Sequence, residues 1–446
     1  MVVLIALVVV VVLMVIAASK YKFHPFLSLL LAGIVMGFVG GLDSDDITTT
    51  LTSGFGKTLG SIGIIIAFGT IIGAYLEQSG GAKTMAIWAL KTIGKSRSVL
   101  AMNITGFIVS IPVYCDSGFI ILSPLNKALS KHSKIAIPVL AVSLAAGLYT
   151  AHVFVPPTPG PLAATAALNA DLGLVIVLGL AVAFPVSLVG YFWARYLQKH
   201  YSYTEEIESE TQDKAAETNK PEQLPKPTPA FLPIIIPIVL IALKSISDYP
   251  THPFGEAVAA QFINFIGNPV IALLIGVFLA FRLKKNVPEA DHFHWVTSGL
   301  KDAGIIILIT GAGGAFGAIL QATGIGDFIG THFADYNLGL FLPFLIAAVL
   351  KTAQGSSTVS IITTAAIMAP ILASFGLDSG LGRALCVLAI GAGAMTVSHL
   401  NDSFFWVVAQ CSGMNTQTAL KTQTVATLLQ GVSGILIILI IGWIFI

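Results

Sequence analysis

Apolar runs of membrane-spanning length recur from one end of the chain to the other. Residues 2–18, VVLIALVVVVVLMVIAA, contain no charge and are long enough to cross most of the hydrocarbon core of a bilayer as a helix. One long polar segment, residues 199–230, is rich in Glu and Lys and ends in prolines, which predicts a solvated cytoplasmic linker. The pattern therefore predicts an all-α polytopic membrane protein with membrane units at 1–198 and 231–446.

The two membrane units contain similar blocks in the same order. The offset between matching blocks stays between 244 and 246 residues, which predicts an internal duplication. The matching pairs are HPFLSLLLAGIVMGF from 24 and NPVIALLIGVFLAF from 268, GAYLEQSGGA from 73 and GAILQATGIG from 317, GFIILSPL from 118 and TAAIMAPI from 364, and TAHVFVPP from 150 and TVSHLNDS from 396.

Basic residues lie at opposite ends of the first pair of related segments. Lys20 and Lys22 precede the segment in the first half, whereas Arg282, Lys284 and Lys285 follow its counterpart. Because Lys and Arg in short loops favour the cytoplasm, the related helices are expected to run in opposite directions. The sequence thus predicts two inverted-topology repeats. The same two N-terminal lysines follow the first apolar run, which predicts a retained helix and no cleaved signal peptide.

Each half is predicted to contain about five spans, one of them broken, and one re-entrant hairpin. The hairpins cover 99–130 and 340–373, because their arms of about 10–15 residues around a polar tip are too short to cross a bilayer. The predicted spans are 2–19, 25–42, 60–78, 137–169 and 173–197, then 231–247, 266–283, 303–328, 380–414 and 423–446.

Polar residues interrupt the apolar pattern at four places. Two are the hairpin tips, YCDSG at 114–118 and KTAQGSST at 351–358; two are breaks within spans, HVFVPPTPGP at 152–161 and SHLNDS at 398–403. Irregular backbone survives at membrane depth only inside protein or against a wet cavity, and broken helices there bind ions and charged substrates. The four places are therefore predicted to meet near the bilayer midplane and to bind an anion with a proton or small cation.

Several ionisable residues of these places have competing interpretations. Asp116 and Asp402 could serve as helix caps, but the cost of a carboxylate within the membrane favours a functional role. Lys351 could extend to the interface or bind a substrate carboxylate. His152 and His399 could relay protons or be structural.

The remaining candidates are small polar residues that could bond neighbouring helices, although their clustering at a tip favours substrate contact. The predicted substrate-binding residues are Ser117, Thr158, Lys351, Gly355, Ser356, Ser357, Thr358, Asn401 and Ser403, and the proton-coupling candidates are Asp116, Asp402 and His152.

Composition excludes several other classes. Only 10% of the residues are charged, against about 25% in soluble proteins, and the net charge of +1 favours no nucleic-acid partner. Cys115, Cys386 and Cys411 lack metal-ligand or disulfide spacing, so no metal or cofactor is expected. The run GAGGAFGA at 311–318 has no following lysine and indicates close helix packing rather than a nucleotide loop.

Together, the motifs YCDSGFIILSPL, VPPTPGP, GAGGAFGAIL, QGSSTVSIITTAAIMAPIL and SHLNDSFFW resemble the gluconate:proton symporter family, whose members also include permeases for D-serine and other small hydroxy acids. The resemblance covers essentially the whole chain. It implies membership of the ion-transporter superfamily, paired hairpins, and a homodimer whose scaffold helices hold a moving transport domain, the elevator mechanism. It also implies acidic residues at Asp116 and Asp402 and a basic residue at Lys351, while Thr158 stands where relatives often have histidine.

The predicted function is import of a small hydroxylated carboxylate, of the gluconate or glycerate type, with protons across the inner membrane. Lys351 and the tip 356–358 would bind the substrate carboxylate. The side chains of Ser117, Thr158, Asn401 and Ser403 would form hydrogen bonds with the substrate hydroxyls. Sodium coupling, D-serine transport and an anion channel remain alternatives. An intramembrane enzyme is not expected, because no convincing nucleophile–base spacing occurs.

Overall fold

The computed structural model describes residues 2–21, 23–94, 97–202, 224–247, 258–283, 289–325 and 339–445, and these residues form helices and no strands. Most of the predicted linker, together with Lys22, Lys284 and Lys285, lies outside the described residues. In the first half the helices are α1 (Val2–Lys20), α2 (Pro25–Val39), α3 (Ser44–Gln78), α4 (Gly81–Ile93), α5 (Ser98–Val109), α6 (Cys115–Ser133), α7 (Ile137–Phe154), α8 (Pro159–Ala167) and α9 (Leu172–Leu197). In the second half they are α10 (Pro227–Ser247), α11 (Val258–Ile266), α12 (Pro269–Phe281), α13 (Glu289–Ala322), α14 (Phe341–Gln354), α15 (Ser357–Met368), α16 (Gly380–Met395), α17 (Ser403–Cys411) and α18 (Thr416–Phe445, with a π-helical turn at Leu420–Thr424).

Six helices among the described residues are long and apolar enough to cross a membrane, and the bent pair α11–α12 would add a seventh. The six are Ser44–Gln78, Ile137–Ala167, Leu172–Leu197, Pro227–Ser247, His292–Ala322 and Thr416–Phe445. The protein is therefore a polytopic α-helical membrane protein. The predicted first two spans correspond to α1 and α2, and the predicted broken spans to the pairs α7–α8 and α16–α17.

Two helical hairpins occupy the segments predicted to be re-entrant. In the first, α5 ends at Val109 and a short turn leads to α6, with the Ser110 hydroxyl bonded to the Val113 carbonyl at 3.0 Å. In the second, α14 ends at Gly355, and Ser356 caps α15 by accepting the Val359 N–H.

Helix order repeats between the halves, and corresponding helices begin at a nearly constant spacing. For example, α2 and α12 begin 244 residues apart, as do α8 and α17. Packing repeats as well: α2 packs on α13 while α12 packs on α3, and α8 packs on α15 while α17 packs on α6.

Helices α3 and α13 form the longest helix pair. Gly54 of α3 lies against Gly314, and Thr70 of α3 lies against Gly299, so the two helices run antiparallel. Glycines at these contacts let the backbones approach closely, which is the usual device at helix interfaces in membranes.

The sequence prediction missed part of this architecture. Helix α3 begins at Ser44, capped by Asp43, well before the predicted start at 60, because its polar N-terminal half packs along α13. Helices α4 and α11 were also not predicted. Helix α4 packs between α5 and α10, and α11 precedes α12 at a 64° bend.

Helix α7 lies at the centre of the protein and is buried along nearly its whole length. The Asn103 side chain of α5 ties it to its neighbours by donating to the carbonyls of Ser143 on α7 and Ser187 on α9, both at 3.1 Å. The break between α7 and α8 is consequently held in the protein interior.

Candidate functional site

The two hairpin tips and the two helix breaks come together. Tyr114 of the first tip stacks near His152 at the end of α7, with ring centroids 6.0 Å apart. Gly160, just past the α7–α8 break, packs against Thr358 at the second tip. The second tip in turn forms an ion pair with Asp402 in the α16–α17 break.

Lys351 is the buried cation of this junction. Its side chain is 0% exposed, and its Nζ lies 2.6 Å from Oδ2 of Asp402, whose side chain is 6% exposed. The ammonium also donates to the Gly355 carbonyl at 2.5 Å and lies 5.8 Å from the centre of the Tyr149 ring. Lys351 occupies the last turn of α14, where the helix dipole favours a positive charge.

Asp402 combines a helix cap with the ion pair. As N-cap of α17, its Oδ1 accepts the Phe404 N–H at 3.1 Å. Its Oδ2 accepts the hydroxyl of Ser398 in addition to the Lys351 ammonium. Ser398 is itself fixed to α18 by hydrogen bonds with Thr424 and Thr427. These contacts position the carboxylate as long as the ion pair is intact.

Unusual backbone conformations occur where the second tip and the second break meet. Gly355 has φ +84°, and a Cβ there would collide with the Asn401 carbonyl. Val397, a β-branched residue, has φ +57°. Such a conformation in a non-glycine residue is strained and is typical of functional sites. The Asn401 amide donates to the Thr352 carbonyl at 2.8 Å. This hydrogen bond gives a partner to one of the last carbonyls of α14, which have none within the helix.

Five polar atoms of the two tips and the two breaks are buried without a hydrogen-bond partner: the Tyr114 hydroxyl, Asp116 Oδ1, His152 Nδ1, Gln354 Nε2 and Asn401 Oδ1. Asp116 lies in the first turn of α6, within electrostatic range of Lys351 and Asp402. Because buried polar groups in proteins nearly always have a partner, these atoms indicate a place for water or a polar ligand.

Not all the residues predicted to bind substrate are equally available. Ser356 is engaged as the α15 cap, and the buried Thr158 hydroxyl donates to the Val155 carbonyl at 2.7 Å. Asn401 keeps a free Oδ1. Ser403 is exposed, on the first turn of α17.

The remaining predicted residues have two different surroundings. Ser357 faces the Tyr149 hydroxyl at the junction. Ser117 lies instead beside Glu77 at the end of α3.

Three residues of the site were not predicted. Tyr149 lies on an apolar helix, and only its position one turn before His152 could have indicated it. Ser398 lies within the irregular break between α16 and α17, four residues before Asp402. Glu77 lies at the end of a long helix, where nothing in the sequence links it to Ser117.

A cavity of about 760 Å³ is lined by residues of α3, α13, α8 and α15. Its volume suits a small polar molecule. Exposed Lys57 and Ser61 of α3 line one wall, and Arg383 lines the opposite wall. Leu162, two residues past Gly160, also lines this cavity.

Comparisons with known proteins give the family. The sequence model described as GntP family permease matches residues 1–444. The chain is 34% identical to the Escherichia coli inner membrane permease YgbN, over 94% of this chain and 93% of that protein. It is 33% identical to a Pseudomonas aeruginosa gluconate permease, over 96% of this chain and 95% of that protein. It is 31% identical to the Escherichia coli D-serine transporter DsdX, over 96% of this chain and 95% of that protein.

Among solved structures, the fold is similar to that in the crystal structure of the Alcanivorax borkumensis YdaH transporter, with a TM-score of 0.67 and 14% identity over 95% of this chain and 99% of that one. The match over nearly the entire sequence, together with at least six apolar helices, confirms the resemblance seen in the motifs. The chain belongs to the GntP family of permeases and is a multi-pass inner-membrane transport protein rather than an enzyme.

Proposed function

We propose that the protein imports a small hydroxylated carboxylate of the gluconate or glycerate type together with protons. The observation that carries the proposal is the fully buried Lys351 at the point where two hairpins and two broken helices meet. A buried ammonium is costly in a membrane unless it serves a partner or a ligand. A substrate carboxylate is the natural ligand, and relatives of this chain are named gluconate permeases.

In this proposal Lys351, the Gly355 backbone and the first residues of α15 bind the substrate carboxylate. The N-terminus of α15 contributes backbone N–H groups and the positive end of its dipole, which favour an anion. The candidates for binding the substrate hydroxyls are Ser117, Thr158, Asn401 and Ser403. Proton coupling is assigned to the set predicted from the sequence, Asp116, Asp402 and His152.

We further propose that the halves are inverted repeats and that transport follows an elevator mechanism in a homodimer. The inversion is supported by α3 and α13, which hold corresponding positions in the two halves and run antiparallel. The exchanged packing of α2 on α13 and α12 on α3 supports a two-fold relation. By the distribution of basic residues, the 760 Å³ cavity faces the outside of the cell.

D-serine is a second candidate substrate. One relative is named a D-serine transporter, and the partnerless Asp116 Oδ1 is placed to accept a hydrogen bond from an ammonium group. D-serine uptake that fails in Asp116→Asn, while gluconate uptake survives in the same variant, would support this candidate. Sodium coupling is tested with the same vesicles by imposing sodium instead of proton gradients.

Uptake into proteoliposomes tests the main proposal. The panel contains C3–C6 sugar acids and D-serine, each with an imposed proton or sodium gradient. Wild-type protein should concentrate a sugar acid when a proton gradient is imposed. Lys351→Gln should raise KM by about 10- to 100-fold, the value of a lost charge-assisted hydrogen bond.

Lys127→Gln, at an exposed lysine of α6, is the matched control and should leave uptake unchanged. Wild-type protein that transports no sugar acid, or Lys351→Gln protein with the KM of wild type, would contradict the proposal.

A further inference from the structure

The ion pair between Lys351 and Asp402 lies where the proposed substrate carboxylate must bind. Lys351 Nζ makes two short contacts, with Asp402 Oδ2 and with the Gly355 carbonyl, and the remaining direction faces the Tyr149 ring. An ammonium has three donors. Two of the three donors are thus engaged, so a substrate carboxylate can accept hydrogen bonds from two donors only if one of the present partners leaves.

The partner that can leave is Asp402. The Gly355 carbonyl is part of the tip backbone, whereas Asp402 is bound to Lys351 by a single carboxylate oxygen. We propose that the substrate carboxylate displaces Asp402 from Lys351, and that the freed Asp402 takes up the coupled proton. This inference rests on the proposed function, and it selects one residue from three candidates and gives the order of events.

Charge balance explains the coupling. In the empty site the Lys351 ammonium and the Asp402 carboxylate cancel. A bound anion adds one uncompensated negative charge to a buried site, which is unfavourable at membrane depth. One proton bound at Asp402 Oδ2 restores the original net charge. The substrate anion and the proton then cross together.

The surroundings of Asp402 suit two protonation states. Oδ1 keeps the Phe404 N–H in both states, so the α17 cap is retained. At Oδ2 the Ser398 hydroxyl donates to the carboxylate. A hydroxyl can also accept, so the same group can receive the hydrogen bond of the protonated acid without a change of position.

The other titratable groups around Asp402 fit the role less well. Those within electrostatic range are Lys351 on α14, Tyr149 and His152 on α7, and Cys115 and Asp116 on α6. Asp402 forms the ion pair with the Lys351 ammonium at 2.6 Å, whereas the Tyr149 ring centre lies 5.8 Å from it. A substrate that binds Lys351 therefore changes the partner of Asp402 directly.

Calorimetric titration of the purified, detergent-solubilised protein with D-gluconate, in buffers of different ionisation enthalpy, measures the protons bound with the substrate. Wild type should take up about one proton per gluconate. Asp402→Asn, which retains the cap, should bind gluconate with almost no proton uptake. Asp402→Glu, which keeps the carboxyl group, should restore it.

Asp116→Asn and His152→Gln remove the two rival sites and give the converse test. Proton uptake should persist in each of them. These two variants exclude Asp116 and His152 as the proton-binding residue, and they do so even if Asp402→Asn fails to fold. Uptake that is lost in either rival variant, or that persists in Asp402→Asn, overturns the inference.

Wild type that binds gluconate without taking up a proton overturns the exchange and leaves substrate binding standing. Wild type that binds no gluconate overturns the proposed function, and the exchange with it.

Discussion

The buried ion pair should appear as a large non-additivity in stability. Lys351 and Asp402 are almost completely excluded from solvent. Lys351→Met leaves the Asp402 carboxylate buried without its counter-charge. Asp402→Asn likewise leaves the Lys351 ammonium buried without its counter-charge. Removal of one partner of such a pair costs about 3–5 kcal/mol, whereas replacement of both is often close to neutral. The double variant should therefore be more stable than the sum of the single effects by several kcal/mol.

Equilibrium unfolding in mixed detergent micelles, followed by tryptophan fluorescence, measures all four proteins of this cycle. Lys127→Met removes an exposed lysine and should change the free energy of unfolding by no more than about 0.5 kcal/mol. Single effects that add to within about 0.5 kcal/mol in the double variant would refute the reasoning.

Three further predictions concern backbone, access and core. Gly355→Ala should abolish uptake, because the added Cβ would collide with the Asn401 carbonyl. Gly376→Ala, at a similar positive φ with open space around it, should cost only about 1–2 kcal/mol of stability and leave uptake intact. Equal uptake in both variants would contradict the geometry of the second tip. Above the background of the native cysteines, Ser61→Cys should react with a membrane-impermeant maleimide added outside the cell. Ala128→Cys should react only with reagent added from the cytoplasmic side. The reverse pattern would contradict the proposed orientation of the protein in the membrane. Gln430→Ala should lower the free energy of unfolding by about 1–3 kcal/mol, measured as above, because the buried amide donates to Thr150 at 2.7 Å; an unchanged value would show that this hydrogen bond does not hold α18 to α7.

The hairpins and broken spans could be predicted because their causes are local. The consecutive prolines 156 and 157 remove two backbone donors and interrupt the helix there, and Gly355 adopts a positive φ that ends α14. Apolar arms too short to span a bilayer then leave few choices. Polar residues in such places must meet protein or water, so the convergence of the four breaks followed from general constraints.

The pairing of Lys351 with Asp402 could not be predicted, because it depends on which side chains face each other once the helices pack. The sequence placed both residues in the site but assigned them separate roles. The long α3 was missed for a related reason. Its N-terminal half, with Thr and Ser at many positions, resembles an external loop, and only contact with the glycine-rich face of α13 makes it a helix at the interface.

An experimental structure with D-gluconate bound tests the central claim most directly. The account predicts the gluconate carboxylate within hydrogen-bond distance of Lys351 Nζ, with Asp402 turned away from the ammonium and still capping α17. Gluconate bound elsewhere, with the Lys351–Asp402 pair intact, would contradict it.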